Sequence, residues 1–134
     1  MASKAYLAGE TIHRARFVQP STTADNTVLL AAANAPVTGI SQLGGRRAPQ
    51  PSNSNTTEAA IAGEYLDVTY EGLSYIECGD TVAAGDRLKS DADGKAIPIG
   101  ASAGTYNVGA TAQAAGASGT IIPVLITRMS VVVT

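Results

Sequence analysis

Between Glu77 and Gly100 the chain reads ECGDTVAAGDRLKSDADGKAIPIG, and it reverses direction more than once in that short span. A turn at Cys78, Gly79 and Asp80 leads into an apolar run from Thr81 to Ala84. Gly85 and Asp86 form a second turn, Arg87 to Lys89 reads as a strand, Asp91 to Gly94 forms a hairpin turn, and Ala96 to Ile99 returns. Aspartate side chains accept hydrogen bonds from nearby backbone N–H groups, and glycine takes up positive φ at little cost, so these residues suit tight turns. Turns this closely spaced mean a compact β unit.

The rest of the chain carries the same signature. Glu64 to Glu71 (EYLDVTYE) alternates almost strictly, with Leu66, Val68 and Tyr70 on one face and Tyr65, Asp67, Thr69 and Glu71 on the other, which predicts a strand. Leu73 to Glu77 continues the β pattern. Further strands are expected over Glu10 to Val18, Thr27 to Ala33 and Val37 to Leu43, where Gly39 marks a bulge or a close backbone approach. Others are expected over Tyr106 to Thr111, Thr120 to Thr127 and Ser130 to Thr134, with Pro123 pointing to a bulge or an edge. Ala110 to Ala117 has a brief helix as its alternative, since alanine is the best helix former. Gln19 to Asn26 is a polar loop, and Gly44 to Thr57 (GGRRAPQPSNSNTT) is too polar to order itself and reads as a long exposed loop.

The fold class expected is therefore mostly β: a small single-domain barrel or sandwich with short strands, long loops and little helix. Residues 1–8 form an N-terminal arm, and residues 9–134 a single β domain with the exposed polar loop at 44–57. A faint internal echo suggests two related halves. Gly9, Glu10, Thr11 and Ile12 match Gly79, Asp80, Thr81 and Val82 at a spacing of 70, and Gly39 matches Gly109 at the same spacing.

Composition bears on how such a domain is stabilised. With 24 Ala, 14 Gly and 14 Thr against 10 Val, 9 Ile, 8 Leu and one Phe, the core is built from small aliphatics and gains little burial per residue. Additional burial through self-association or a partner is expected. The formal net charge of −2 gives no clustered basic surface for nucleic acid. Charge is nevertheless uneven: residues 1–47 carry five basic and two acidic groups, and the remainder four basic and nine acidic. A basic N-terminal part suits docking onto an acidic protein surface.

Catalytic patterns find no support. The one imidazole, His13, lies between basic residues in IHRAR without a nucleophile signature, so the chain is not expected to be an enzyme. Asp91, Asp93 and Gly94 resemble the start of a calcium loop, but the twelfth position is Ser102, which cannot supply the bidentate carboxylate, so a hairpin turn is the reading. Cys78 is the lone cysteine; it can form no intrachain disulfide, and the acids Glu77 and Asp80 beside it raise a thiol pKa. No metal or cofactor is expected. No apolar run approaches the ~18 residues of a membrane span, and MASKAYLAGETI lacks a signal-peptide core. Three surfaces remain as candidate contacts with a partner or another subunit. These are Tyr6 and Leu7 in the arm, Arg14 and Arg16 on the basic strand, and Arg46 and Arg47 in the long loop, where guanidinium groups can pair with carboxylates. The Val131 to Val133 tail reads as the last strand of the domain, with an inter-subunit strand as its alternative.

The pieces GDTVAAGDRLKSDADGKAI, VGATAQAAG and GTIIPVLIT, with AGETIHRARFV and APVTGISQLGG ahead of them in the same order, resemble the small capsid cement, or head decoration, proteins of tailed bacteriophages. The likeness covers most of the chain and rests on order and spacing. It implies a structural virion protein on the capsid exterior, made in the host cytoplasm and bound to the major capsid protein. It also implies self-association, a trimer before a dimer, with no direct nucleic-acid or membrane partner. The polar insertion from Gln50 to Thr57 departs from the simplest pattern. GDTVAAGDRL also resembles the turns of biotinyl and lipoyl carrier domains, but Lys89 and Lys95 flank the Asp91 to Gly94 hairpin and do not occupy its tip.

Overall fold

The alternation that predicts a strand at EYLDVTYE is realised as β7 (Tyr65–Glu71), with Leu66 and Val68 buried and Tyr65, Asp67 and Glu71 outside; Thr69, expected on the outer face, is fully buried where β5 pairs with it at Ile40. The computed structural model describes residues 2–41 and 58–134; the expected loop at 44–57, with Arg46 and Arg47, lies outside the described residues. The other strands are β1 (Ala2–Ala8), β2 (Ile12–His13), β3 (Phe17–Pro20), β4 (Thr27–Leu30), β5 (Gly39–Ser41), β6 (Glu58–Ala60), β8 (Leu73–Glu77), β9 (Arg87–Ser90), β10 (Ala96–Pro98), β11 (Gly104–Ala112) and β12 (Ile121–Val133). The described residues contain no helix.

Strands β1-β4-β3-β5-β7 form a closed barrel, and β10-β9-β11-β12-β8 form a five-stranded sheet. Their registers correspond residue by residue. In the first half Val18 pairs with Leu30 and Pro20 with Val28; in the second Leu88 pairs with Pro98 and Ser90 with Ala96. Ile40 opposite Thr69 is matched by Thr111 opposite Leu125, and Tyr6 opposite Leu66 by Ile76 opposite Ile122. The parallel contact Ala8–Val28, which closes the first barrel, recurs as the parallel bridge Cys78–Ala96, and the Ile12–Ala60 pair as the bridge Val82–Gly116. The chain is thus two copies of one small barrel in tandem, the second closed by the Cys78–Ala96 bridge alone. Gly9–Ile12 and Gly79–Val82 hold equivalent places, as the internal echo predicts, but Gly39, opposite Val18, answers to Ala110, opposite Leu88, and not to Gly109.

Equivalence extends to the interior. Ala8, Ile12, Val18, Val28, Leu66 and Val68 fill the first barrel; Cys78, Val82, Leu88, Ala96, Ile122 and Val124 stand at the matching positions of the second. Volume is exchanged between neighbours. Ala60 becomes Gly116, where a Cβ would lie 2.6 Å from Ile122 Cγ2 and 3.3 Å from Cys78 Sγ. Cores packed to crystal density allow a larger Cys78 only if something beside it shrinks.

The two barrels share one further packing layer. Phe17, Ala31 and Ile40 of the first half are fully buried in a cluster with residues of the second. Gly109 permits this, because a Cβ there would come within 2.6 Å of the Phe17 ring and 2.9 Å of Val37. At Gly39, the close approach read from the sequence is present: a Cβ would strike the backbone carbonyl of Thr69.

Several expectations are corrected. The N-terminal arm is strand β1, paired antiparallel to β7 along its length and parallel to β4 at Leu7 and Ala8, because Tyr6 and Ala8 supply the alternating apolar positions that the barrel needs. The single strand expected over Glu10 to Val18 is broken into β2 and β3 by Ala15, whose φ is 56°, the counterpart of Gly85 at 90°. Ala110 to Ala117 ends β11 and continues in bends and a bridge, not a helix. The two C-terminal strands are one, β12, and its bulge lies opposite Val108 to Ala110, while Pro123 sits in regular register opposite Tyr75.

Candidate interaction surface

At the seam between the barrels the symmetry breaks, and it does so around a residue singled out in the sequence. In the first half the Leu7 N–H donates to the Asn26 carbonyl (2.9 Å), sealing β1 to the turn before β4. In the second half that place is occupied by the first half's own backbone: the Glu77 N–H donates to the Ala15 carbonyl (2.9 Å), and the Phe17 N–H donates to the Gly94 carbonyl (2.7 Å). The residue between them is Arg16. Its guanidinium donates to the Asp93 carbonyl (3.1 Å) and to Glu77 Oε1 (3.3 Å), and Lys95 Nζ lies 3.3 Å from Glu77 Oε2. Arg16 is only 8% exposed, so the pair is held largely out of water, where charge-assisted hydrogen bonds are strongest.

A second crossing caps the end of β11. The Asn34 side chain donates to the Thr105 carbonyl (3.0 Å) and accepts from the Asn107 N–H (2.9 Å), while the Asn34 carbonyl accepts from the Asn107 side chain (2.9 Å). One amide thereby substitutes for a neighbouring strand along this edge.

The candidate contact residues fall in different places. Tyr6 is half-buried against the first barrel's interior, with Lys4 Nζ 4.9 Å from its ring centroid. Leu7 is half-buried in β1, and Arg14 is half-buried beyond β2. Arg16 is consumed by the seam, so it is a clamp within the chain and not an outward contact. Arg46 and Arg47 lie outside the described residues. Of the four described residues, Tyr6 packs towards the first barrel's interior and Arg16 is buried in the seam, so the structure does not present these four as one outward face.

The other polar motifs are absorbed by turns. Asp91 Oδ1 accepts from the N–H groups of Asp93 (2.8 Å) and Lys95 (2.9 Å), and Gly94 takes φ of 78°, so DADG is a hairpin turn. Among the described residues no group of three or more His, Cys, Asp or Glu side chains could hold a metal ion. Burial first, and then the Glu77 charge, push the Cys78 thiol above its ordinary pKa, keeping it protonated. Lys89 lies over the Tyr106 ring at 4.6 Å and Lys95 is paired with Glu77, so neither lysine is presented at a hairpin tip as a carrier domain requires.

The architecture has a counterpart among solved structures. It is similar to the crystal structure of the head fiber gp8.5 N base in bacteriophage phi29, with a TM-score of 0.66 and 17% identity over 97% of each chain. This likeness is one of fold, and its coverage takes in both barrels as well as the seam between them. No family model matches the chain, and no curated protein does so.

An outward feature that sequence reasoning missed lies on β8 and β12. Leu73 faces Leu125 across the ladder, Tyr75 faces Pro123, and Glu77 faces Ile121. Leu73 is 58% exposed, Tyr75 51%, Leu125 40% and Ile121 39%. The signal was present in the alternation. In LSYIE and TIIPVLIT the outward positions Leu73, Tyr75, Ile121, Pro123 and Leu125 are apolar, whereas in EYLDVTYE the outward Asp67 and Glu71 are charged.

Proposed function

We propose that this chain is a structural component of a tailed-phage virion that binds the outer surface of the assembled capsid and stabilises it against the pressure of packaged DNA. The observation that carries this reading is the fold likeness to a phage head-fiber base over 97% of both chains. The order and spacing of its sequence motifs, which resemble capsid cement proteins, agree with it. The chemistry is also consistent: the polar motifs that can be traced in the structure serve turns and the inter-barrel seam.

The mechanism is thermodynamic. A protein that binds the assembled shell and not dissociated subunits stabilises the shell by mass action, by RT ln(1 + [L]/Kd) per site. Many copies, each spanning a junction between shell subunits, multiply the effect. Docking is onto the major capsid protein of the shell, and no enzyme activity is required.

The test is cosedimentation of the purified chain with tailed-phage capsids from which it has been stripped. Saturable binding with a defined copy number, accompanied by a higher temperature of shell disruption, is the expected result. A chain that stays in the supernatant at every concentration refutes the reading.

A further inference from the structure

The place on the first barrel that receives the second barrel exists again on the second barrel, and there it is open. On the first barrel the Ala15 carbonyl accepts from the Glu77 N–H (2.9 Å) and the Phe17 N–H donates to the Gly94 carbonyl (2.7 Å), while Ala15, Phe17 and Ala31 are fully buried. Val18 opposite Leu30 corresponds to Leu88 opposite Pro98, and the Ala31 N–H donates to the Phe17 carbonyl as the Ile99 N–H does to the Arg87 carbonyl. Residues 85–87 and 98–101 are therefore the same place on the second barrel. They line an open groove of about 500 Å³. Gly85 and Arg87 are exposed, and among the described residues the Gly85 carbonyl and the Arg87 N–H have no hydrogen-bond partner. The N–H and carbonyl of one strand residue point to the same side, so the Arg87 N–H faces the groove.

The filled copy specifies what fits the open one. It is a strand that brings a free N–H to the Gly85 carbonyl, together with an adjoining turn whose carbonyl accepts from the Arg87 N–H. Half-buried Pro98 and Ile99 offer apolar contact beside them. Charge is inverted between the copies: Arg16 meets Glu77 in the seam, whereas its counterpart is Asp86, whose Oδ2 accepts from the Ala83 N–H (2.9 Å). The matching segment is therefore basic where β8 carries Glu77. The chain does not supply such a segment itself, because β7 gives way to β8 after Glu71, whereas β12 runs on to Val133 alongside β11. A second copy in this conformation does not supply one either. Its two equivalent strand amides are taken, Leu7 by the Asn26 carbonyl and Glu77 by the Ala15 carbonyl.

We propose that the groove at 85–87 and 98–101 receives a strand end and its turn from the major capsid protein, in the way that the first barrel receives Glu77 and Gly94. This rests on the virion role proposed above and names the contact that this chain makes there. Main-chain bonds give the affinity and the Asp86 carboxylate the selectivity, as in other cases where a strand is added from a partner.

The experiment is cosedimentation of the full chain with stripped tailed-phage capsids, comparing the wild type with three variants. Ala101→Trp fills the groove. Asp86→Asn keeps an acceptor for the Ala83 N–H and removes the charge. Ala62→Trp adds the same bulk at an exposed place outside the groove. Ala101→Trp should weaken saturable binding by about tenfold or more and Asp86→Asn by a smaller factor, with wild-type binding for Ala62→Trp and wild-type unfolding midpoints for all three. Unchanged binding in both groove variants, or an equal loss in Ala62→Trp, overturns this proposal and leaves the virion role standing. A wild type that does not bind refutes that role and this contact with it. Sedimentation velocity without capsids supplies the last arm: self-association that Ala101→Trp abolishes assigns the groove to a second copy and overturns the capsid protein as its occupant.

Discussion

Arg16 illustrates how one side chain can decide the relation between two structural units. Its guanidinium bridges Glu77 and the Asp93 carbonyl in a seam that water barely reaches. Replacing it with glutamine leaves Glu77 with Lys95 as its remaining cation, so the penalty falls below that of fully orphaning a buried charge. The expected cost is about 2 kcal/mol in urea unfolding, and the double variant Arg16→Gln/Glu77→Gln should cost less than the sum of the single ones. Cys78 gives a pH-dependent counterpart. Its thiol pKa is raised in the folded chain, so the protonated form is the one the fold favours. The stability this contributes is complete below the ordinary thiol pKa of 9.0 and is lost as pH rises towards the folded value. Urea midpoints measured from pH 7 to 10 should fall at the alkaline end more for the wild type than for Cys78→Ala. At this scale the sequence was informative about Asp91 and Gly94, because turn chemistry is local. It was misleading about Arg16, because the acid that claims it lies 61 positions away.

At the scale of elements, the strands with strict alternation were legible and the ones that depend on a partner half were not. EYLDVTYE announces β7 because a two-residue period admits no other reading. AYLA did not announce β1, since its burial comes from β4 and β7 and is invisible in a seven-residue window. The break at Ala15 was hidden for a similar reason: alanine seldom takes positive φ, and only the matching Gly85 betrays the requirement. Phe17 shows what the barrel-to-barrel layer contributes. It lies on the outside of the first barrel beside the inward Val18, yet it is fully buried because the second half covers it. Its counterpart Arg87 is exposed. Phe17→Ala should lower stability by about 3–5 kcal/mol, and Gly109→Ala, which presses on the same ring, by about 1–3 kcal/mol. Both are checked by denaturant unfolding, with an unchanged dependence on denaturant indicating that the fold itself persists.

For the molecule as a whole, duplication turns a small-residue composition into a workable domain. Neither interior is large: six matched positions in each barrel are filled by Ala, Cys, Val, Ile and Leu. The shared layer around Phe17 and Ile40 adds apolar burial that a single barrel of this size lacks, in keeping with the poor surface-to-volume balance of small domains. Duplication also lets one scaffold carry unlike exteriors: exposed Ser3 and Asp67 on β1 and β7 stand where β8 and β12 have Leu73 and Pro123. The spacing of 70 between Gly9 and Gly79 was the trace of this in the sequence, faint because turns and small residues are all that both copies strictly need.

The seam makes the two halves unequal in what closes them. The strands of the first barrel, β1-β4-β3-β5-β7, pair with one another and not with β8–β12, and they precede the second half in synthesis. In the complete chain Phe17 and Ile40 are covered by the second half, which also supplies the partners of the Ala15 carbonyl and the Phe17 amide. The closure of the second half therefore uses groups of the first, the Ala15 carbonyl and the Phe17 amide, whereas the pairing of β1 with β4 uses only the first half's own.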